Sequence, residues 1–203
     1  MRDNSGRWKL GLSLAGSAAL MWAILPLVLQ RVLEDMDPST TTFFRFLIAA
    51  LILTPYTILK NSFSFAKLTI SARSAAMLLS AGLFLAGNYG FYIFGLGKIS
   101  ADSSQVIIQL APMALLVSGI YLFKEPFSRI QWYGLVAFVI GIIMFFYHRL
   151  NLLANPSDVY LLGLTMTVIA ALCWTSYAIV LKILLQMFSS QQVMITLYWV
   201  GAA

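Results

Sequence analysis

The chain has 203 residues, of which 61% are hydrophobic and only 10% charged, well short of the quarter or so charged residues of a soluble domain. The apolar residues come in blocks near bilayer length, which predicts an all-α polytopic membrane protein and excludes the alternating pattern of a β-barrel. The lone Cys173 cannot form an intrachain disulfide and the lone His148 cannot found a His-rich metal site, while the net charge of +6 fits basic loops facing anionic lipid rather than nucleic acid.

A basic N-terminus, Met1 to Lys9, leads into a first span over about residues 10–29. That run is too long for an ordinary signal-peptide core and lacks an Ala-x-Ala exit, so it reads as an uncleaved helix. Asp37-Pro38 provides a cap and a first-turn proline for the second span, which ends near Leu59 and contains Arg45. The third span fills the charge-free stretch between Arg73 and Lys98, the fourth lies between Asp102 and Lys124, and the fifth runs over about 130–147. Asn155-Pro156-Ser157-Asp158 opens a sixth span over about 159–181, and Ser189-Ser190 restarts an apolar pattern that reaches Ala203.

The sixth span repeats the first. Gly11-Leu12, Ala18-Ala19-Leu20, Trp22, Val28-Leu29 and Leu33 recur as Gly163-Leu164, Ala170-Ala171-Leu172, Trp174, Val180-Leu181 and Leu185, about nine identities in about twenty-three positions without a gap. The repeat unit contains five crossings, an odd number, so the second copy enters the membrane from the opposite side, a pattern typical of secondary transporters. With the N-terminus inside, Arg2, Arg7, Lys9, Lys60, Lys67, Arg73, Lys124, Arg129 and Lys182 fall on the inner side and only Arg31, Lys98 and Arg149 on the outer. That bias predicts a multi-pass protein of the plasma (inner) membrane with a cytoplasmic N-terminus. The predicted organisation is a five-helix inverted repeat, complete over 1–150 and truncated over 151–203. An N-terminal fragment of a longer protein is therefore expected, one that inserts and self-associates through surfaces meant for the second repeat.

Polar residues inside the spans are the candidates for chemistry. Gln105 and Gln109 lie one turn apart on the fourth span, with Pro112 freeing a carbonyl nearby. They either line a substrate path or hydrogen-bond neighbouring helices. Asn88 and Tyr92 share a stripe of the third span with Phe84 and Gly95, and the same two readings apply to Asn88. Trp22 and Trp174 are repeat mates near mid-span, away from the interfaces where tryptophan usually sits, and are candidates for a cavity wall. Arg45 reads as a structural or gating charge that pairs with Asp37 or Asp102 near the outer face. Gly82, Ala86 and Gly90 on the third span, and Ala137 and Gly141 on the fifth, read as packing ridges.

Residues 95–102 (Gly-Leu-Gly-Lys-Ile-Ser-Ala-Asp), Gln109-Leu110-Ala111-Pro112, Lys124-Glu125-Pro126-Phe127-Ser128 and Gln131-Trp132-Tyr133-Gly134, together with Trp22 and Phe44-Arg45-Phe46, resemble the EamA-type transporters of the drug/metabolite transporter superfamily. The resemblance implies ten helices, cytoplasmic termini and a central cavity between two repeats. Lys124 stands where that family often has glycine. The expected partners are lipid and a small organic solute, with no cofactor and no metal. No span carries paired acidic residues, His-x-x-x-His is absent, and no nucleotide-binding motif occurs, all of which argue against an intramembrane enzyme or an ATP-driven pump. The competing reading is a structural or regulatory membrane subunit.

Overall fold

The computed structural model describes residues 8–59, 71–147 and 157–203. Arg2, Arg7, Lys60, Lys67, His148, Arg149, Asn155 and Pro156, on which parts of the sequence reading rest, lie outside them. The described residues form helices throughout: α1 (Trp8–Val32), α2 (Pro38–Leu59), α3 (Ala72–Leu96), α4 (Ala101–Ile108), α5 (Leu110–Phe123), α6 (Arg129–Tyr147), α7 (Asp158–Leu184) and α8 (Ser190–Gly201). Six helical segments are long and apolar enough to cross a membrane, with α4 and α5 together counting as one. The protein is an all-α polytopic membrane protein.

Short polar segments set the helix starts. Asp37 Oδ2 accepts from the Thr40 N–H at 2.9 Å, and hydrogen bonds from Thr40 hold the Asp37 carboxyl below its ordinary pKa. Ser71 caps α3 and Ser157 caps α7. Ser189 and Gln192 close a reciprocal capping box on α8.

The fourth span, expected to be continuous, is broken at Gln109. Pro112 has no N–H, so the Ile108 carbonyl loses its helical donor, and the ladder stops there and restarts as α5. At its far end, Lys124 adopts the left-handed conformation (φ 52°, ψ 36°) while Glu125 N–H reaches back to the Gly119 carbonyl at 3.1 Å. Glycine takes this conformation without a Cβ penalty, which explains why the related motif favours it.

The core lies where α3 meets α7. Near their middle, the Asn88 amide donates to the Ala170 carbonyl at 2.9 Å. At one end of the crossing, Gly95 faces Gly163 and Thr167 so closely that a Cβ on Gly163 would sit 3.0 Å from Lys98 Cβ and 3.2 Å from the Gly95 carbonyl. At the other end, Leu78 and Leu85 pack with Tyr177, Leu184, Val193 and Leu197. The helices are therefore antiparallel. Leu29 near the end of α1 packs on Ile93 and Leu96 near the end of α3, so α1 runs parallel to α3 and opposite to its repeat copy α7.

The packing ridges hold only in part. Gly82 abuts Val200 of α8, but Gly90 and Gly141 face open space, and α6 has no buried residue among those described.

Candidate functional site

The repeat register continues past α7. It sets Phe46 of α2 opposite Tyr198 of α8, Ala49 opposite Gly201, and Arg45 opposite Leu197. In space, Phe46 touches its own mate: the Phe46 and Tyr198 rings lie 6.2 Å apart, and Gly201 packs directly on the Phe46 ring. Residues of equivalent repeat position thus meet where α2 packs on α8. A cleft of about 380 Å³ opens at this point, lined by Arg45, Phe46, Ile48, Ala49, Tyr89 and Tyr198.

Arg45 faces aromatic rings in this cleft. Its guanidinium carbon lies 4.3 Å from the centre of the Tyr89 ring, and Tyr92 and Tyr198 are its other electrostatic neighbours. The expected ion pair with Asp37 or Asp102 is not formed. Among the described residues no carboxylate pairs with Arg45, and Asp37 is instead occupied in capping α2. Tyr89 also stacks on Phe46 at 5.0 Å, so the arginine is held over a preassembled aromatic wall.

The other expected site residues occupy different surroundings. Gln105 donates from Nε2 to the Trp22 backbone carbonyl at 3.0 Å. That carbonyl lies four residues before Pro26, whose missing N–H leaves it without a helical donor. Glutamine on α4 thus satisfies a carbonyl that proline frees on α1. Gln109 sits exposed at the α4–α5 break. Asn88 is buried, with 6% of its surface exposed, and its amide is used on Ala170. Tyr92 packs beside Leu29, Ile93 and Leu96. The Trp22 side chain is 64% exposed, whereas Trp174 packs against the α3–α7 core, so the two mates have different environments.

Three further features escaped the sequence reading. Tyr89 and Tyr198 wall the Arg45 cleft, and for Tyr198 the register with Phe46 was an available signal. Thr175 of α7 donates to the Ala111 carbonyl beside Pro112 at 3.2 Å. Lys182 of α7 pairs with Glu125 and lies 4.0 Å from the Phe123 ring centre, tying the end of α5 to the end of α7. A second cleft of about 520 Å³ lies there, between Pro112, Leu116, Gly119 and Lys182.

The sequence pattern of the EamA-like transporter family matches residues 9–147. The chain belongs to that family. It is 32% identical over 198 residues to a protein of Escherichia coli (strain K12) named "Uncharacterized inner membrane transporter YhbE", covering 98% of this chain and 61% of that protein. It is 30% identical over 189 residues to an "Uncharacterized transporter" of Haemophilus influenzae, covering 93% of this chain and 61% of the relative. The chain thus spans about three fifths of the length of these relatives.

Proposed function

We propose that the protein is part of a secondary transporter that moves a small organic solute across the bacterial inner membrane by alternating access between inverted repeats. Residues 1–150 form one five-helix unit in this reading, and residues 151–203 belong to its inverted partner. The observation that carries the proposal is the contact of α2 and α8 through residues of equivalent repeat position, with a cleft opening beside it. Transporters built from inverted repeats bind where the repeats meet, because rocking one repeat against the other then exposes the same site to each side in turn.

Gln105, Gln109, Tyr92, Trp22 and Trp174 are proposed to border the solute path on the α1, α3, α4 and α7 surfaces. Gln105, which already donates one N–H to Trp22, keeps its carbonyl oxygen and its other N–H for the solute, and Gln109 offers an amide oxygen and two N–H groups. Asn88 contributes chiefly by fixing α3 to α7. The N-terminus is placed in the cytoplasm, on the strength of the basic-residue bias.

Uptake into proteoliposomes made with the full-length protein, measured against a panel of labelled amino acids, organic acids and hydrophobic cations, tests the proposal. Saturable, protein-dependent uptake of a panel member is expected. Equal accumulation in protein-free vesicles across a broad panel would refute it and favour a structural or regulatory subunit.

A further inference from the structure

Arg45 lies seven residues beyond Pro38, about 10 Å along α2 at 1.5 Å per residue. A cation at such depth is costly and is normally balanced by a charged partner or turned toward water. Arg45 turns instead into the cleft at the α2–α8 contact, against Tyr89, with no carboxylate paired to it among the described residues. A ring face attracts a cation, but by less than the desolvation cost of burying an ion, and it leaves the positive charge uncompensated.

The guanidinium carries five N–H donors in a planar fork, shaped to take a carboxylate through two parallel bonds. Around it stand Phe46, Tyr89 and Tyr198, with Ile48 and Ala49 completing the wall. This surface suits a flat apolar body, and Tyr89 and Tyr198 each bring a phenol to the lining. One unpaired cation calls for one negative charge, which favours a monoanion over a phosphate dianion. A cationic solute would be repelled.

We infer that the Arg45 cleft binds a small aromatic monocarboxylate, the carboxylate on Arg45 and the ring against Tyr89, Phe46 and Tyr198. The inference rests on the transporter reading for its biological use, but its binding component can be measured separately.

Three probes of one shape and different charge serve as the test: indole-3-acetate, indole-3-acetamide and tryptamine. Binding to the full-length protein in detergent is measured by competition with labelled indole-3-acetate, and uptake is measured in proteoliposomes. The wild type should bind the carboxylate at least tenfold more tightly than the amide and more weakly still the amine. Arg45→Gln should abolish that preference, and Arg45→Lys should keep it at severalfold lower affinity. Tyr198→Phe leaves the cation in place and should weaken carboxylate binding severalfold, which keeps the test informative if Arg45→Gln fails to fold. Absence of an Arg45-dependent preference for the carboxylate, including no binding at all, overturns the inference. Uptake of the amide or amine without that preference would overturn the anion site and leave the transporter reading standing. Arg45-dependent binding without uptake of any probe would uphold the anion site, and the broad uptake panel would then decide the transporter reading.

Discussion

Gln105 and Pro26 form a pair whose energetic link can be measured directly. Pro26 removes the N–H that would have bonded the Trp22 carbonyl, and Gln105 Nε2 takes over that role from α4 at 3.0 Å. An orphaned buried carbonyl costs about 1–3 kcal/mol. Interhelical hydrogen bonds measured inside a membrane average nearer 0.6 kcal/mol, with a maximum of about 1.7. Gln105 is only partly buried, which favours the lower range, so Gln105→Met should destabilise by about 1 kcal/mol while keeping side-chain volume. Pro26→Ala restores the backbone N–H, and the Trp22 carbonyl can then bond within α1. In that background Gln105→Met should cost close to nothing. The assay is a double-mutant cycle on unfolding of the detergent-solubilised protein, with a coupling energy of about 1 kcal/mol expected. Additive effects, with coupling below about 0.3 kcal/mol, would show that Gln105 does not serve the proline-freed carbonyl.

Three other outcomes follow from packing and charge. Gly163→Ala should destabilise by about 1–3 kcal/mol, because the new Cβ meets Ile99 and the backbone of α3; Gly134→Ala, with open space around it, is the control, and equal melting temperatures for the two would contradict the close crossing. Lys124→Gly should stabilise by about 1 kcal/mol in thermal melts, since glycine removes the left-handed strain at φ 52°, whereas Lys124→Ala should give no such gain. A topology reporter fused after Asn61 should read cytoplasm and one after Asn151 the exterior, and the opposite pattern would overturn the orientation.

Hydrophobic periodicity and basic-residue bias made the spans legible, and the repeat register made the inversion of α7 legible, because those signals are local or copied along the chain. α1 and α7 nonetheless extend to Trp8–Val32 and Asp158–Leu184, a few residues past the predicted limits, since helix ends are decided by caps and by the last available backbone partners. The break at Gln109 was half visible: Pro112 announced a freed carbonyl but not that the helix would stop at Ile108. Arg45 was recognisable as a special charge, yet its surroundings were misread. An ion pair is the usual answer to a membrane charge, and nothing local to α2 points to Tyr89 on another helix. The same holds for Gln105, where the sequence offered Pro112 on its own span as the relevant proline and the structure joins it to Pro26 on α1. Contacts of that kind depend on which faces meet, and that is settled only when α1, α3 and α7 pack together.

The Arg45–Leu197 mismatch at the α2–α8 contact has a consequence for how such a fold could arise and specialise. Two identical units assembled antiparallel would place either two arginines or two leucines beside the axis, so a cleft with a single positive charge cannot be built by self-pairing. Two arginines would repel each other across a confined space, and two leucines would leave nothing to recognise an ion. With both copies joined in one chain, the second position is free to become Leu197, which is fully buried, while Arg45 faces the opening. Fusion thus allows the two copies to keep matching residues at one position and to differ at the next. Leu197→Arg would bury an unpaired cation in the α3–α7–α8 core and should be strongly destabilising.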